Sequence, residues 1–228
     1  MSEEEQDFID DVVEIGSPTP EIENDPLPPP DQGGPGPRNV SRLQMDFEEA
    51  QKDGKDKGYT VELINNDYEL WSIKFYNLDV VPHPNQIAKY KEKYRRDYTP
   101  FKDQMEQYKK KYGQNYLELI FTFPPNYPNI APFIRVRLPR FVMYTAHVTV
   151  GGSICMGSLT FAGWNPTRTI SSLIAEIFAL MMTGDSDDLP PEIDFSTNVP
   201  YDLPGAIDGF RRSAEKHKWE IPNWTPTK

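Results

Sequence analysis

The chain has 228 residues, with 24 Lys and Arg against 35 Asp and Glu, a formal net charge of −11, one cysteine and 23 prolines. A length in this range suits one domain with extensions, or two small ones. No apolar run reaches the roughly 18 residues of a membrane-spanning helix, the start MSEEEQDFIDD lacks the marks of a secretory signal, and a lone cysteine excludes both a disulfide framework and a multi-cysteine zinc site.

The charge is unevenly placed. Residues 1–38 hold eleven acids, one base (Arg38) and eight prolines, so the remainder, 39–228, is nearly neutral. Low hydrophobicity with high charge predicts a disordered acidic tail over 1–38. Within it, Val12-Val13-Glu14-Ile15 reads either as a strand that adds to a partner's sheet edge or as a few aliphatics in a solvated tail. From Ser41, a plausible N-cap, to about Lys52, the spacing of Leu43, Met45/Phe47 and Ala50 predicts an amphipathic helix, broken by the run Asp53–Gly58.

Four alternating segments follow: Tyr59/Val61/Leu63, Trp71/Ile73/Phe75, Leu117/Leu119/Phe121/Phe123 and Ile134/Val136/Leu138. Such patterning predicts a half-buried antiparallel sheet, with Asn65-Asn66-Asp67 as the first turn. An insert over 79–115 separates strands two and three. Its segment 89–111 carries nine bases, four acids and a tyrosine stripe. A helical hairpin packing on its tyrosines is the favoured reading; contact with nucleic acid is the lesser one, and the acidic tail of the same chain is a nearer partner of opposite sign. An irregular stretch, 139–166, holds Cys155. Thr169 caps an apolar helix (Ile170, Leu173, Ile174, Ile177, Phe178, Met181) ended by Gly184, and a last helix is expected around 205–218. Helices before and after a four-stranded antiparallel meander make an α+β fold, with a helical insert between strands two and three.

The residues then carry a resemblance. Phe123-Pro124-Pro125-Asn126-Tyr127-Pro128…Pro132, Gly152-Ser153-Ile154-Cys155-Met156, Trp164-Asn165-Pro166-Thr167-Arg168-Thr169-Ile170 and Asp187-Asp188-Leu189-Pro190-Pro191-Glu192-Ile193 resemble, in order, four motifs of ubiquitin-conjugating enzymes. The likeness covers 39–228 outside the insert, and it implies that 39–228 is a UBC-like catalytic domain interrupted by the insert. Phe133-Ile134-Arg135-Val136, Gly151-Gly152, Ile154-Cys155-Met156, Thr160…Gly163-Trp164 and Trp219 are most similar to the Q-type branch.

The resemblance implies that Cys155 accepts ubiquitin, or a ubiquitin-like modifier, as a thioester from an activating enzyme and passes it to an amine or hydroxyl, with no metal or cofactor. A thiolate suits both steps because it attacks well near neutral pH and leaves well. The family's His-Pro-Asn triplet is absent: the register eight positions before the cysteine gives Thr145-Ala146-His147, as in the Q-type branch, where a tyrosine commonly stands. His147 then either donates a hydrogen bond and orients the loop, or merely packs it. A literal His83-Pro84-Asn85 starts the insert and is read as a decoy. Asp187 falls where the family often has a gate carboxylate that positions an incoming ammonium, the plainer reading being a solvated acid. The His that Q-type members place five residues before Trp219 is Ala214 here, and His217 lies nearly one turn on. Asn129, where many members have an aromatic, and Asn165-Pro166-Thr167, in place of their small-Pro-Ala, imply atypical docking of a ubiquitin ligase. No membrane partner is expected, and a cytoplasmic or nuclear location fits the single thiol. The competing reading is a catalytically weak UBC-like scaffold that binds ubiquitin or a partner.

Overall fold

A computed structural model describes residues 37–184, 188–222 and 224. The acidic tail, except Pro37 and Arg38, and its Val12–Ile15 segment lie outside the described residues, as does Asp187.

Helix α1 runs Pro37–Lys57, starting four residues before the expected cap and passing through the expected break. Ser41 is therefore interior to the helix, and the terminator is Gly58, whose φ of +77° favours a residue without Cβ. Gly54 stays helical for a different reason: a Cβ there would stand 2.5 Å from the Tyr59 carbonyl oxygen, so the glycine admits the first strand. The buried stripe is Leu43, Asp46, Phe47 and Ala50, whereas Met45 is 67% exposed on the other face. A carboxylate inside that stripe needs partners. Asp46 has two: the Arg42 guanidinium at 2.8 Å and the Tyr127 hydroxyl. Burial, then the Asp46 carboxylate, push the Tyr127 phenol well above its ordinary range.

Strands β1 (Tyr59–Ile64), β2 (Asp67–Phe75), β3 (Leu117–Thr122) and β4 (Phe133–Leu138) form an antiparallel meander in the order 1-2-3-4. Asn65 and Asn66 both adopt positive φ, the conformation a two-residue hairpin turn requires and asparagine tolerates. Registers such as Leu63–Trp71, Trp71–Phe121 and Phe121–Ile134 align the large apolar side chains on one face. That face meets α1 and α4 (Ile170–Met182), which buries Ile170, Leu173, Ile174, Ile177 and Met181. Thr169 caps α4 by accepting from the Ser172 N–H. The opposite face is polar: Glu118 is nearly buried there but takes a hydrogen bond from Ser72 at 2.7 Å and an ion pair from Arg137 at 2.8 Å. At β4 this side is also covered, with Phe133 packed against Phe210 of α5 (Leu203–His217) and against Trp224.

The insert forms two helices, α2 (Pro84–Tyr94) and α3 (Phe101–Tyr112). Its tyrosines pack inward as expected: Tyr90 and Tyr108 are buried, and Tyr90 meets the rings of Tyr94 and Tyr98. His83-Pro84-Asn85 has a local role. His83 is the N-cap of α2, accepting from the Asn85 N–H at its Nδ1, while the Gln86 side chain accepts from the His83 N–H.

Candidate functional site

Cys155 stands at the end of a tight loop hairpin. The turn closes through Gly152 N–H to the Thr149 carbonyl and Thr149 N–H to the Ser153 carbonyl, with the hydroxyls of Thr149 and Ser153 2.6 Å apart. Val148 bridges Ile154, and the Cys155 N–H donates to the His147 carbonyl at 2.8 Å. The hairpin is tied to the edge of β4 by Val136 N–H to the Gly152 carbonyl and Ile154 N–H to the Ile134 carbonyl. The residue eight positions before the cysteine is thus its cross-strand neighbour, a consequence of hairpin pairing.

Two glycines admit the last helix and the residue that leads into it. A Cβ on Gly151 would lie 1.8 Å from the Gly205 carbonyl oxygen, and one on Gly152 would lie 2.3 Å from the Tyr201 ring. Gly209 likewise faces Thr149, whose Oγ1 would be 2.5 Å from an added Cβ. Gly205, Gly209 and Ser213 recur every four residues, so they share one face of α5. Backbone contact at the first two brings the third to the cysteine: Ser213 Oγ is 2.8 Å from Cys155 Sγ. Burial pushes the thiol up; the Ser213 hydrogen bond and the Lys216 ammonium, in that order, oppose it.

His147 has a positive φ, as do Tyr144 and Ala146, and its Nε2 lies 2.8 Å from Asp188 Oδ2. The acid beside His147 among the described residues is thus Asp188, the neighbour of the expected Asp187. His217 stacks on Trp219 at 4.6 Å between centroids, and Trp219 lies against Gly157, two residues after the cysteine. From α5 it is Ser213, adjacent to Ala214, that reaches the sulfur. Sequence reasoning missed it because a serine in a helix announces no chemistry; the small-residue spacing 205, 209, 213 was the available signal.

Asn129, Asn165, Pro166 and Thr167 are all exposed. The Trp164 Nε1–H donates to the Pro128 carbonyl at 2.7 Å, which holds their two loops together. Asn165 Oδ1 accepts from both the N–H and the hydroxyl of Thr167, a turn that leaves the asparagine side chain engaged locally. No group of three or more His, Cys, Asp or Glu among the described residues could hold a metal ion.

The family model described as ubiquitin-conjugating enzyme matches residues 77–199, just over half of the chain, including the insert and Cys155. Ubiquitin-conjugating enzyme E2 Q1 of Homo sapiens is 28% identical over 192 residues, covering 80% of this chain and 39% of that protein; the Mus musculus protein matches equally. Ubiquitin-conjugating enzyme E2 25 of Caenorhabditis elegans is 38% identical over 69 residues, 30% of this chain and 17% of that one. A solved ubiquitin conjugating enzyme E2 from Plasmodium falciparum aligns with a TM-score of 0.43 at 19% identity, over 72% of this chain and 96% of the other. The chain therefore spans well under half the length of the E2 Q1 relatives, and over its matched residues it belongs to the ubiquitin-conjugating enzyme family.

Proposed function

We propose that Cys155 takes ubiquitin as a thioester from the activating enzyme and transfers it to an acceptor amine or hydroxyl. The observation that carries this reading is the placement of the chain's single thiol 2.8 Å from the Ser213 hydroxyl in a hairpin that also positions His147. In charging, the Cys155 thiolate attacks the thioester carbonyl of the activating enzyme; a C–S bond forms, and the activating enzyme's thiolate leaves. Ser213 and Lys216 favour the thiolate against the cost of its burial.

In transfer, the acceptor attacks the Cys155 thioester and must lose a proton. His147 is assigned to that step: its Nε2 is held 2.8 Å from Asp188 Oδ2, which orients the ring and leaves Nδ1 as the nitrogen to take the proton. The acyl group leaves with the acceptor, and Cys155 departs as thiolate. The exposed pair of loops around Asn129 and Asn165–Thr167 is assigned to a ligase with atypical docking, and the reaction to the cytosol or nucleus.

A non-reducing gel after incubation with ubiquitin, activating enzyme and ATP tests the proposal. A thiol-labile adduct absent from Cys155→Ala is expected; no adduct, or one that survives the substitution, overturns it. One observation favours the competing scaffold reading: burial raises the thiol, which lowers the thiolate fraction at neutral pH. Ubiquitin binding without an adduct, at pH 7.5 and at pH 9, would establish that alternative.

A further inference from the structure

Among the described residues, the insert is the largest feature the proposed chemistry does not use, and its polar side chains converge on one stretch of backbone. Gln104 of α3 uses its whole amide: Nε2 donates to the Thr99 and Pro191 carbonyls at 2.7 and 3.3 Å, and Oε1 accepts from the Ile193 N–H at 2.8 Å. The Tyr98 hydroxyl donates to the same Pro191 carbonyl at 2.9 Å, and Arg96 pairs with the Glu192 carboxylate. Lys111 and Tyr112 both donate to the Phe195 carbonyl at 2.8 Å. Before this stretch, the Gln86 amide donates to the Thr183 carbonyl at 2.7 Å.

The other edge of residues 188–195 lies against the loop that leads to His147. Phe141 bridges Ile193, Thr145 bridges Leu189, and the Val142 N–H donates to the Glu192 carbonyl at 2.8 Å. Phe101 of α3 also stacks on Phe141 at 5.8 Å. A contact chain thus runs from the insert through 188–195 to the His147 loop, whose carbonyl receives the Cys155 N–H. Glu192 is nearly buried, and a carboxylate so placed is tolerated only when matched. At least four of the nine bases in 89–111 are engaged inside the chain: Lys91, Arg96 and Lys102 in ion pairs, Lys111 on a carbonyl.

We propose that the insert is a brace for residues 188–195 that holds Asp188 against His147, making Arg96 and Gln104 positioning residues for acyl transfer from Cys155. The proposal rests on the thioester reading and adds that the basic helices serve the acceptor step. They do not serve charging, in which the thiolate alone attacks.

The test separates those steps in the full chain. Arg96→Ala, Arg96→Lys and the unaltered protein are charged with ubiquitin; the activating enzyme is then quenched, and discharge to free lysine is followed over a range of lysine concentrations. Charging of Arg96→Ala is expected within about twofold of the parent, with maximal discharge slowed about three- to tenfold and restored by Arg96→Lys. Unchanged discharge overturns the brace, and so does an equal loss in both steps. Should the parent form no thioester, the thioester reading fails on its own. Amide exchange of 188–195 then decides the brace: faster exchange in Arg96→Ala than in Arg96→Lys supports it, and equal exchange overturns it.

Discussion

Cys155 is held from two sides by different kinds of contact. On the α5 side the approach is close packing, with Gly151 against the Gly205 backbone and Gly152 against the Tyr201 ring, and no room for a methyl group. On the 188–195 side, long polar side chains from the insert reach backbone carbonyls and one buried carboxylate. Packed contact of the first kind responds to volume, because the interior cannot yield by an ångström without moving a helix. Contact of the second kind responds to the loss of a partner, because a buried carbonyl or carboxylate left alone is costly.

The sharpest way to break this contrast is to add volume on the α5 side. Gly209→Val would place carbon where Thr149 Oγ1 lies 2.5 Å from an added Cβ. We expect about 3 kcal/mol of lost stability by chemical denaturation, together with loss of the Cys155 adduct as Ser213 is carried away. On the insert side a substitution that conserves volume should suffice. Gln104→Leu leaves the Ile193 N–H without its acceptor and removes two donors, and about 2 kcal/mol is expected in the same measurement. If Gln104→Leu proved neutral while Gly209→Val unfolded the chain, the insert would be an appendage and the α5 contact the whole of the support.

How much of this was legible follows the same division. The meander, the Asn65-Asn66 turn, α4 with its Thr169 cap and the cysteine motif were readable because period-2 and period-3.6 patterns and motif spacing are local properties. The start of α1 at Pro37 was hidden by the acidic, proline-rich composition around it, and its passage through Gly54 by a contact with Tyr59 that only the folded chain makes. The tyrosine stripe signalled a packed hairpin. Gln104, however, gave no sign of being buried, because its partners Pro191 and Ile193 lie 87 and 89 residues away in sequence. Asp187, which motif register offers as the gate acid, lies outside the described residues; that its neighbour Asp188 reaches His147 could not be read from spacing, because side-chain direction in an acidic run is set by the fold.

A finer comparison lies within the α5 side, between a neutral and a charged neighbour of the sulfur. Ser213 lowers the thiol by hydrogen bonding, so Ser213→Ala should raise it and shrink the thiolate fraction at any pH below its midpoint. Alkylation of Cys155 by iodoacetamide at pH 7.5 should slow about three- to tenfold, with the rate profile displaced to higher pH. Ser213→Thr, which keeps the hydroxyl, should restore most of the rate. A profile unmoved in Ser213→Ala would remove the hydroxyl from the chemistry and leave it a spacer.

Lys216 should matter least, although among the described residues it carries the only full charge that acts on the thiol. It acts through space and sits exposed on α5, where water and salt screen it. Lys216→Gln removes a group that lowers the thiol, so the alkylation rate at pH 7.5 should fall, by less than about twofold at low ionic strength. At roughly 0.5 M salt, where the Debye length is only a few ångströms, parent and variant should coincide. The Ser213→Ala difference should persist there, because a hydrogen bond 2.8 Å long leaves no space for screening ions. Equal salt sensitivity in the two variants would mean that Ser213 acts by placing α5, and with it Lys216, rather than by touching the sulfur.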